Sequence, residues 1–164
     1  MRGLALGLLL AAAGCDGPPP AETGPLDIGP DQVCALDGML VAAHAGPKAQ
    51  VLRRDGSRAF FCDAKEAFEE TLAPRADRRV AGVWFQNLDR AGWESHPDGW
   101  SAADSLHFVG GSAKIGPMGP TLVPFRQRSN AESFVARHGG RIYRYGEIDL
   151  GLVKKLKMQG IDAL

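Results

Sequence analysis

Soft sulfur donors in predicted loops form the most distinctive chemical pattern of this sequence. Cys34 and Met39 stand five residues apart around Asp37-Gly38, a dipeptide typical of a turn that folds the two sulfurs toward one point. Met118 lies in segment 116–120, whose other residues are all glycine or proline, so that neither a helix nor a central strand is expected there. Thiolate and thioether ligands select Cu(I), a soft ion, over the hard divalent metals.

The same residues also have purely structural interpretations. Met39 precedes Leu40-Val41 and fits the first apolar residue of a strand, and Met118 fits a gap-filling side chain of the core. Cys34 and Cys62 fit a structural disulfide, which is the usual state of two thiols in an oxidising compartment. The residue types alone leave these interpretations open.

The sequence lacks the motifs of the common enzyme classes and of nucleic-acid binding. It has no glycine-rich phosphate loop, no Gly-x-Ser-x-Gly elbow and no Cys-x-x-Cys pair. Its four histidines, His44, His96, His107 and His138, lack the spacing of zinc ligands. Nineteen basic side chains balance nineteen acidic ones, so no electrostatic footprint for nucleic acid is present. We therefore expect a protein that is not an enzyme and has no nucleic-acid partner.

The first residues predict the compartment. Residues 1–14 are predicted to be a signal peptide, because their apolar run covers only about half of a ~30 Å hydrocarbon core. The small residues before Cys15 resemble a bacterial lipobox, in which the cysteine is lipidated and becomes the mature N-terminus. We therefore expect a periplasmic protein held on a membrane through Cys15. By resemblance to enterobacterial lipoproteins, Asp16 favours the inner membrane.

The sulfur-bearing loops must be positioned by short elements. In the first half, strands are predicted over 49–52 and 57–61, joined by an Asp-Gly turn. A helix over 64–72 follows, with Asp63 as its N-cap, and then a buried strand over 80–85. Helical spacing assigns four charged residues to the solvent face of that helix: Lys65, Glu66, Glu69 and Glu70.

The second half repeats the order strand, strand, helix, strand. Strands are predicted over 106–109, 121–125 and 141–145, with a helix over 130–138 that is capped by Ser129 and stopped by two glycines. The sequence therefore predicts an α+β fold of two small related ββαβ units.

The chain after the signal peptide is thus predicted to consist of four segments. The first ββαβ unit is predicted over 31–90 and the second over 91–150. Residues 15–30, rich in proline and glycine, are predicted to be a flexible tether that carries the lipidated cysteine. The C-terminal tail, 151–164, fits a terminal amphipathic helix or a frayed end.

Several short segments resemble the NosL family, the copper chaperones of nitrous oxide reductase assembly. In the first half these segments are 34–39, 45–50 and 60–63. In the second half they are 100–103, 116–119, 123–125, 131–134 and 139–140. Each is short, but their common order and spacing make the resemblance specific over about residues 31 to 150.

The resemblance implies a lipid-anchored periplasmic chaperone that holds one Cu(I) and passes it toward nitrous oxide reductase. It also implies an ABC transporter as a docking partner and a fold similar to that of organomercurial lyase. Carried over by position, the Cu(I) ligands are Cys34, Met39 and Met118.

One departure from the family pattern concerns the ligands. Many relatives have a second cysteine where this chain has Asp37, and a carboxylate is a poor Cu(I) ligand. His44 is the nearest histidine that can replace it. Cys62 also matches a family position, but its flanking phenylalanines indicate burial, so we expect a structural role for it.

Two other functions remain open at this point. A fold like that of organomercurial lyase, together with Cys34, Cys62 and Asp37, allows a thiol-based lyase or transferase, provided that the two cysteines meet around one substrate atom. The other is a non-catalytic interaction lipoprotein with a Cys34–Cys62 disulfide.

Overall fold

The computed structural model describes residues 23–89, 92–94 and 99–161. The predicted signal peptide and Cys15 lie outside the described residues, as does His96. None of the helices within these ranges has the length and hydropathy needed to cross a membrane.

A four-stranded antiparallel sheet occupies the first half. Its strands are β1 (Ala49–Arg53), β2 (Arg58–Phe61), β3 (Val80–Gln86) and β4 (Trp100–Ala102), in the spatial order β2-β1-β3-β4. The β1–β2 hairpin forms at the predicted turn, where the Asp55 carboxylate accepts the Ser57 N–H at 2.9 Å. The apolar side chains of β1 and β2 are buried, so this sheet forms one wall of the core.

A three-stranded antiparallel sheet occupies the second half. Its strands are β5 (His107–Gly116), β6 (Gly119–Phe125) and β7 (Arg141–Arg144), with β5 in the centre. The strand predicted over 106–109 is longer than expected, because β5 continues through an irregularity in its pairing with β6. As a result, Met118 lies in the tight turn at the tip of the β5–β6 hairpin.

Four helices complete the fold: α1 (Ala64–Thr71), α2 (Ala76–Arg79), α3 (Arg128–His138) and α4 (Leu150–Ile161). The α1 helix begins at Asp63 with a full capping box, as predicted. The prediction of Ser129 as a cap is wrong, because α3 begins at Arg128, two residues before the predicted start, and its N-cap is Gln127. The Asp89 carboxylate, from a distant loop, accepts the N–H groups of Arg126 and Gln127 at 2.7 Å and takes over the capping role.

One core joins the two sheets through α1. The Phe68 ring of α1 stacks on Phe85 of the first sheet and meets Phe108 of the second edge-on, both at 5.2 Å between centroids. Val153 and Leu156 bury the inner face of α4 in the same core. The described part of the C-terminal tail is therefore a packed helix, and the α+β class is confirmed.

The predicted unit boundaries do not coincide with the sheets. Strand β4 belongs to the predicted second unit, 91–150, but pairs with β3 of the first sheet. The division into two matching ββαβ units stays a prediction. Within the predicted tether, Leu26 exchanges two hydrogen bonds of 2.9 Å with the buried Gln50 amide, and Leu26 and Ile28 pack against the core. The segment from Thr23 to Pro30 is thus attached to the domain.

Candidate metal centre

Four side chains meet at the start of α1. Cys34, Asp37, Cys62 and Glu66 each place one potential ligand atom within 4.8 Å of the others. The two thiols and Glu66 are buried, whereas Asp37 is exposed at the edge of the cluster. Three separate elements supply them: the turn before β1, the end of β2 and the first turn of α1.

The turn that carries Cys34 forms as predicted. The Cys34 N–H donates to the Met39 carbonyl at 2.7 Å, and the Gly38 N–H donates to the Cys34 carbonyl at 3.0 Å. The Asp37 carboxylate accepts the Met39 N–H at 2.9 Å, and Gly38 adopts a φ of 77°, which glycine tolerates without strain. This closed turn holds the Met39 backbone beside Cys34.

Glu66 connects the two thiols. Its Oε2 accepts hydrogen bonds from Cys34 Sγ at 3.3 Å and Cys62 Sγ at 3.5 Å, and Oε1 has no partner among the described residues. The prediction that Glu66 faces solvent is wrong, since its exposed fraction is 2%. The reason is the capping box: a residue at this position turns back over the helix start, and Oε2 also accepts the Asp63 N–H at 3.3 Å.

Both cysteines are free thiols rather than partners in a disulfide. Burial raises the pKa of the Cys34 thiol. Burial, together with the neighbouring Glu66 charge, holds the pKa of Cys62 far above its ordinary value. Both thiols are therefore protonated at neutral pH, and a metal ion that binds them must displace their protons.

Lys48 is buried directly beneath the cluster. Its Nζ donates to the carbonyls of Cys62 at 2.9 Å and Ala45 at 3.3 Å. Burial lowers the pKa of Lys48 to about 8, although the acidic groups and thiols around it oppose that shift. The lysine fixes the backbone at Cys62 and introduces a positive charge beneath the two sulfurs.

The β5–β6 hairpin is fastened to the same helix start. Lys65 Nζ donates to the carbonyls of Met118 and Pro120, both at 2.8 Å, so the prediction that Lys65 faces solvent is also wrong. Thr121 Oγ1 donates to the Asp63 carboxylate at 2.5 Å. Gly116 passes so close to this carboxylate that a side chain there would collide with it.

The predicted site residues thus occupy different depths. Cys34 lies within the cluster, Met39 is half-buried beside it, and Met118 sits at the hairpin tip with 38% of its surface exposed. The Met39 backbone is held beside Cys34, and the Met118 carbonyl accepts a hydrogen bond from Lys65 of the first turn of α1. The role of their thioethers as ligands stays a prediction.

None of the three described histidines belongs to this cluster. His44 is half-buried and outside the cluster. His107 is hydrogen-bonded to the Arg144 guanidinium at 2.8 Å, and His138 packs against the Phe134 ring at 4.6 Å between centroids. The contacts of His107 and His138 are those of histidines with a structural role.

Sequence reasoning missed Glu66 and assigned Cys62 to a structural role. A local pattern was available for Glu66, because Asp63-x-x-Glu66 has the spacing of a capping box. That spacing directs the glutamate back toward the residues before the helix, where Cys62 stands. No local pattern brings Cys34 to the same point, because the contact depends on the turn packing against α1.

Comparisons with known proteins agree on one family. A family model described as NosL matches residues 25–153. The copper-binding lipoprotein NosL of Stutzerimonas stutzeri is 31% identical over 123 residues, which are 74% of this chain and 64% of that protein. The protein of the same name from Achromobacter cycloclastes is 33% identical over 135 residues, 79% of this chain and 69% of that one.

A solved structure extends the likeness to the fold. The crystal structure of the copper chaperone NosL from Shewanella denitrificans superposes with a TM-score of 0.75 at 28% sequence identity. The match covers 79% of this chain and 98% of that one. The chain thus spans nearly all of this solved domain, but less than two thirds of the Stutzerimonas stutzeri relative.

The buried Lys48 makes a testable contribution to the pH dependence of stability. Its pKa is about 8 in the folded protein and 10.5 ordinarily, so between these values the unfolded state holds the proton and the folded state releases it. Wild-type stability should therefore rise, relative to Lys48→Met, by on the order of 3 kcal/mol across this window. Urea unfolding at pH 7.5 and pH 10 under reducing conditions measures the difference.

Lys154→Met is the matched control, because Lys154 is exposed on α4. It should keep the wild-type change in stability between the two pH values. Equal slopes for the wild type and Lys48→Met would contradict the assignment of a depressed Lys48 pKa.

Proposed function

The chain belongs to the NosL family, and from that premise we propose that it is a periplasmic, lipid-anchored metallochaperone that carries Cu(I) for the maturation of nitrous oxide reductase. The observation that carries the proposal is the pair of buried free thiols, Cys34 and Cys62, at the convergence of two methionine-bearing loops. The names of the two curated relatives, both copper-binding lipoproteins, support it.

The donor set favours Cu(I) over the common divalent ions. Thiolate and thioether sulfur are soft ligands, and Cu(I) accepts two or three of them. The described part of the chain groups no histidine with the cluster, and imidazole is a ligand that suits Cu(II). The single exposed carboxylate of Asp37 adds little affinity for a soft ion.

The proposed ligands have distinct roles. Cys34, with an exposed fraction of 2%, supplies an anionic thiolate inside the domain. Met39 and Met118 supply neutral thioethers nearer to the surface, where a ligand of the receiving protein can approach. The incoming ligand binds the same ion, forms a shared intermediate, and draws the copper onward down a gradient of affinity.

The anchor and the partners belong to the same proposal. Lipidation of Cys15 would hold the domain at the membrane, with Asp16 favouring the inner membrane. Nitrous oxide reductase is the proposed recipient, and an ABC transporter is the proposed docking partner. The family membership supports all three assignments.

Cys34→Ser should abolish tight copper binding. The wild-type chain, reduced and anaerobic, is titrated with Cu(I) against a competing chromophoric chelator, and one ion per chain is expected. Because even ligand-supporting residues contribute about 10- to 100-fold to metal affinity, losing a thiolate ligand should weaken binding by more than about 100-fold. A wild type that leaves all copper with the chelator would contradict the proposed function.

Met118→Leu should weaken copper binding while leaving the fold intact. The substitution removes the sulfur but keeps an apolar side chain of similar size at an exposed tip, so we expect about tenfold lower affinity and an unchanged melting temperature. Met158→Leu, on the exposed face of α4, is the matched control and should change neither. A lowered melting temperature with unchanged affinity would instead identify Met118 as a packing residue.

A second function is favoured by one observation: the two cysteines and Asp37 do meet, with Cys62 Sγ 3.9 Å from Asp37 Oδ2. Two thiols can capture an organomercurial cation, forming two S–Hg bonds. The C–Hg bond then breaks, one thiol proton joins the carbon, and the other is released to water. This chemistry is the thiol-based lyase alternative.

Incubation with a phenylmercury salt separates the two functions. As a chaperone, the chain should bind the mercurial stoichiometrically and release no benzene above the level of Cys34→Ser. Headspace analysis of benzene measures the product, and mass spectrometry measures the bound mercury. Repeated turnover that requires both Cys34 and Cys62 would establish the lyase instead.

A further inference from the structure

The surroundings of Cys62 differ from those of an ordinary core cysteine. Its side chain is fully buried, and its sulfur lies 3.5 Å from the same Glu66 oxygen that contacts Cys34. Glu66 itself is 2% exposed, and its second oxygen has no partner in the described part of the chain. A buried carboxyl group with an unpaired oxygen disfavours folding, so this position is poorly explained by packing alone.

The distances fit one ion between the two sulfurs. A metal–thiolate bond is about 2.3 Å long, as known for zinc, so one ion can join two sulfurs up to about 4.6 Å apart. The potential ligand atoms of the cluster lie within 4.8 Å of one another, which leaves only a small adjustment of a side chain. Both sulfurs donate to the same Glu66 oxygen, and this shared acceptor holds them close to each other.

We propose that Cys62 is a second thiolate ligand of the same Cu(I) ion, and that Glu66 is the positioning residue that aims Cys34 and Cys62 at it. This inference rests on the proposed function and deepens it. The ion is then held between two buried sulfurs. Asp37, exposed at the edge of the cluster, remains outside the ligand set.

The S–H stretching vibration provides a test that needs no substitution at the site. The full chain carrying Cys15→Ser has only two thiols, Cys34 and Cys62. One equivalent of Cu(I), added anaerobically, should remove the whole S–H Raman band, because both thiols lose their protons. Retention of about half the band intensity at full copper loading would show that one thiol is a bystander, and would overturn the inference.

Variants in the same background test the two roles. Cys62→Ala should weaken Cu(I) binding by at least about 100-fold, beyond the effect expected of a residue that only supports a ligand. Glu66→Gln should shift the S–H frequencies of both thiols before copper is added, because it replaces their shared acceptor. Met158→Leu, on the exposed face of α4 and outside the cluster, should leave affinity and S–H frequencies unchanged.

The outcomes distinguish this inference from the proposed function. Tight binding that is lost in Cys34→Ser but retained within threefold in Cys62→Ala would overturn the role of Cys62 and leave the chaperone function standing. S–H frequencies that Glu66→Gln does not move would overturn the positioning role. Absence of Cu(I) binding in the wild type would overturn the proposed function, and this inference with it.

Discussion

The first turn of α1 is the point on which the rest of the structure depends. Three polar residues there, Asp63, Lys65 and Glu66, are buried, and each needs a partner, because an unsatisfied buried polar group disfavours the folded state. Asp63 finds Thr121, Lys65 finds the carbonyls of the β5–β6 hairpin, and Glu66 finds two thiols. These hydrogen bonds hold the sulfur-bearing loops of both halves at one helix end. The candidate metal site is in this sense a by-product of helix capping and of the burial of charged groups.

In that arrangement, the sulfur-bearing side chains differ in their exposure to solvent. The thiols lie inside the domain, whereas Met118 stands on a hairpin tip whose backbone, but not its side chain, is fixed by Lys65. A rigid interior favours tight holding of a metal, and an accessible outer ligand favours exchange with a partner. The buried Lys48 beneath Cys62 adds positive charge to a region otherwise occupied by thiols and carboxyls. The proposed chaperone function requires both properties, and in that proposal they would belong to different loops.

Local features were predictable from sequence, and features that depend on distant contacts were not. The Asp55-Gly56 hairpin, the Asp63 cap and the Asp37-Gly38 turn each follow from a few neighbouring residues. The α+β class followed from the order of such features. The burial of Lys65 did not, because helical periodicity assigns it to solvent and its partners lie more than fifty residues away. The loss of the Ser129 cap has the same origin, since Asp89 reaches α3 from another part of the chain.

The hydrogen bonds between Leu26 and the Gln50 amide limit how far the domain can lie from the proposed lipid anchor. In the proposed lipoprotein, the stretch between Cys15 and Thr23 would separate the lipid from the segment that is attached to the domain. Fully extended, that stretch reaches about 28 Å. With the proposed lipid on Cys15 in the bilayer, the thiol cluster would stay within about one small-protein diameter of the headgroups. A proposed acceptor would then have to present its own copper-binding surface in that layer above the membrane, so the distance of a partner's site from the membrane would matter as well as its ligands.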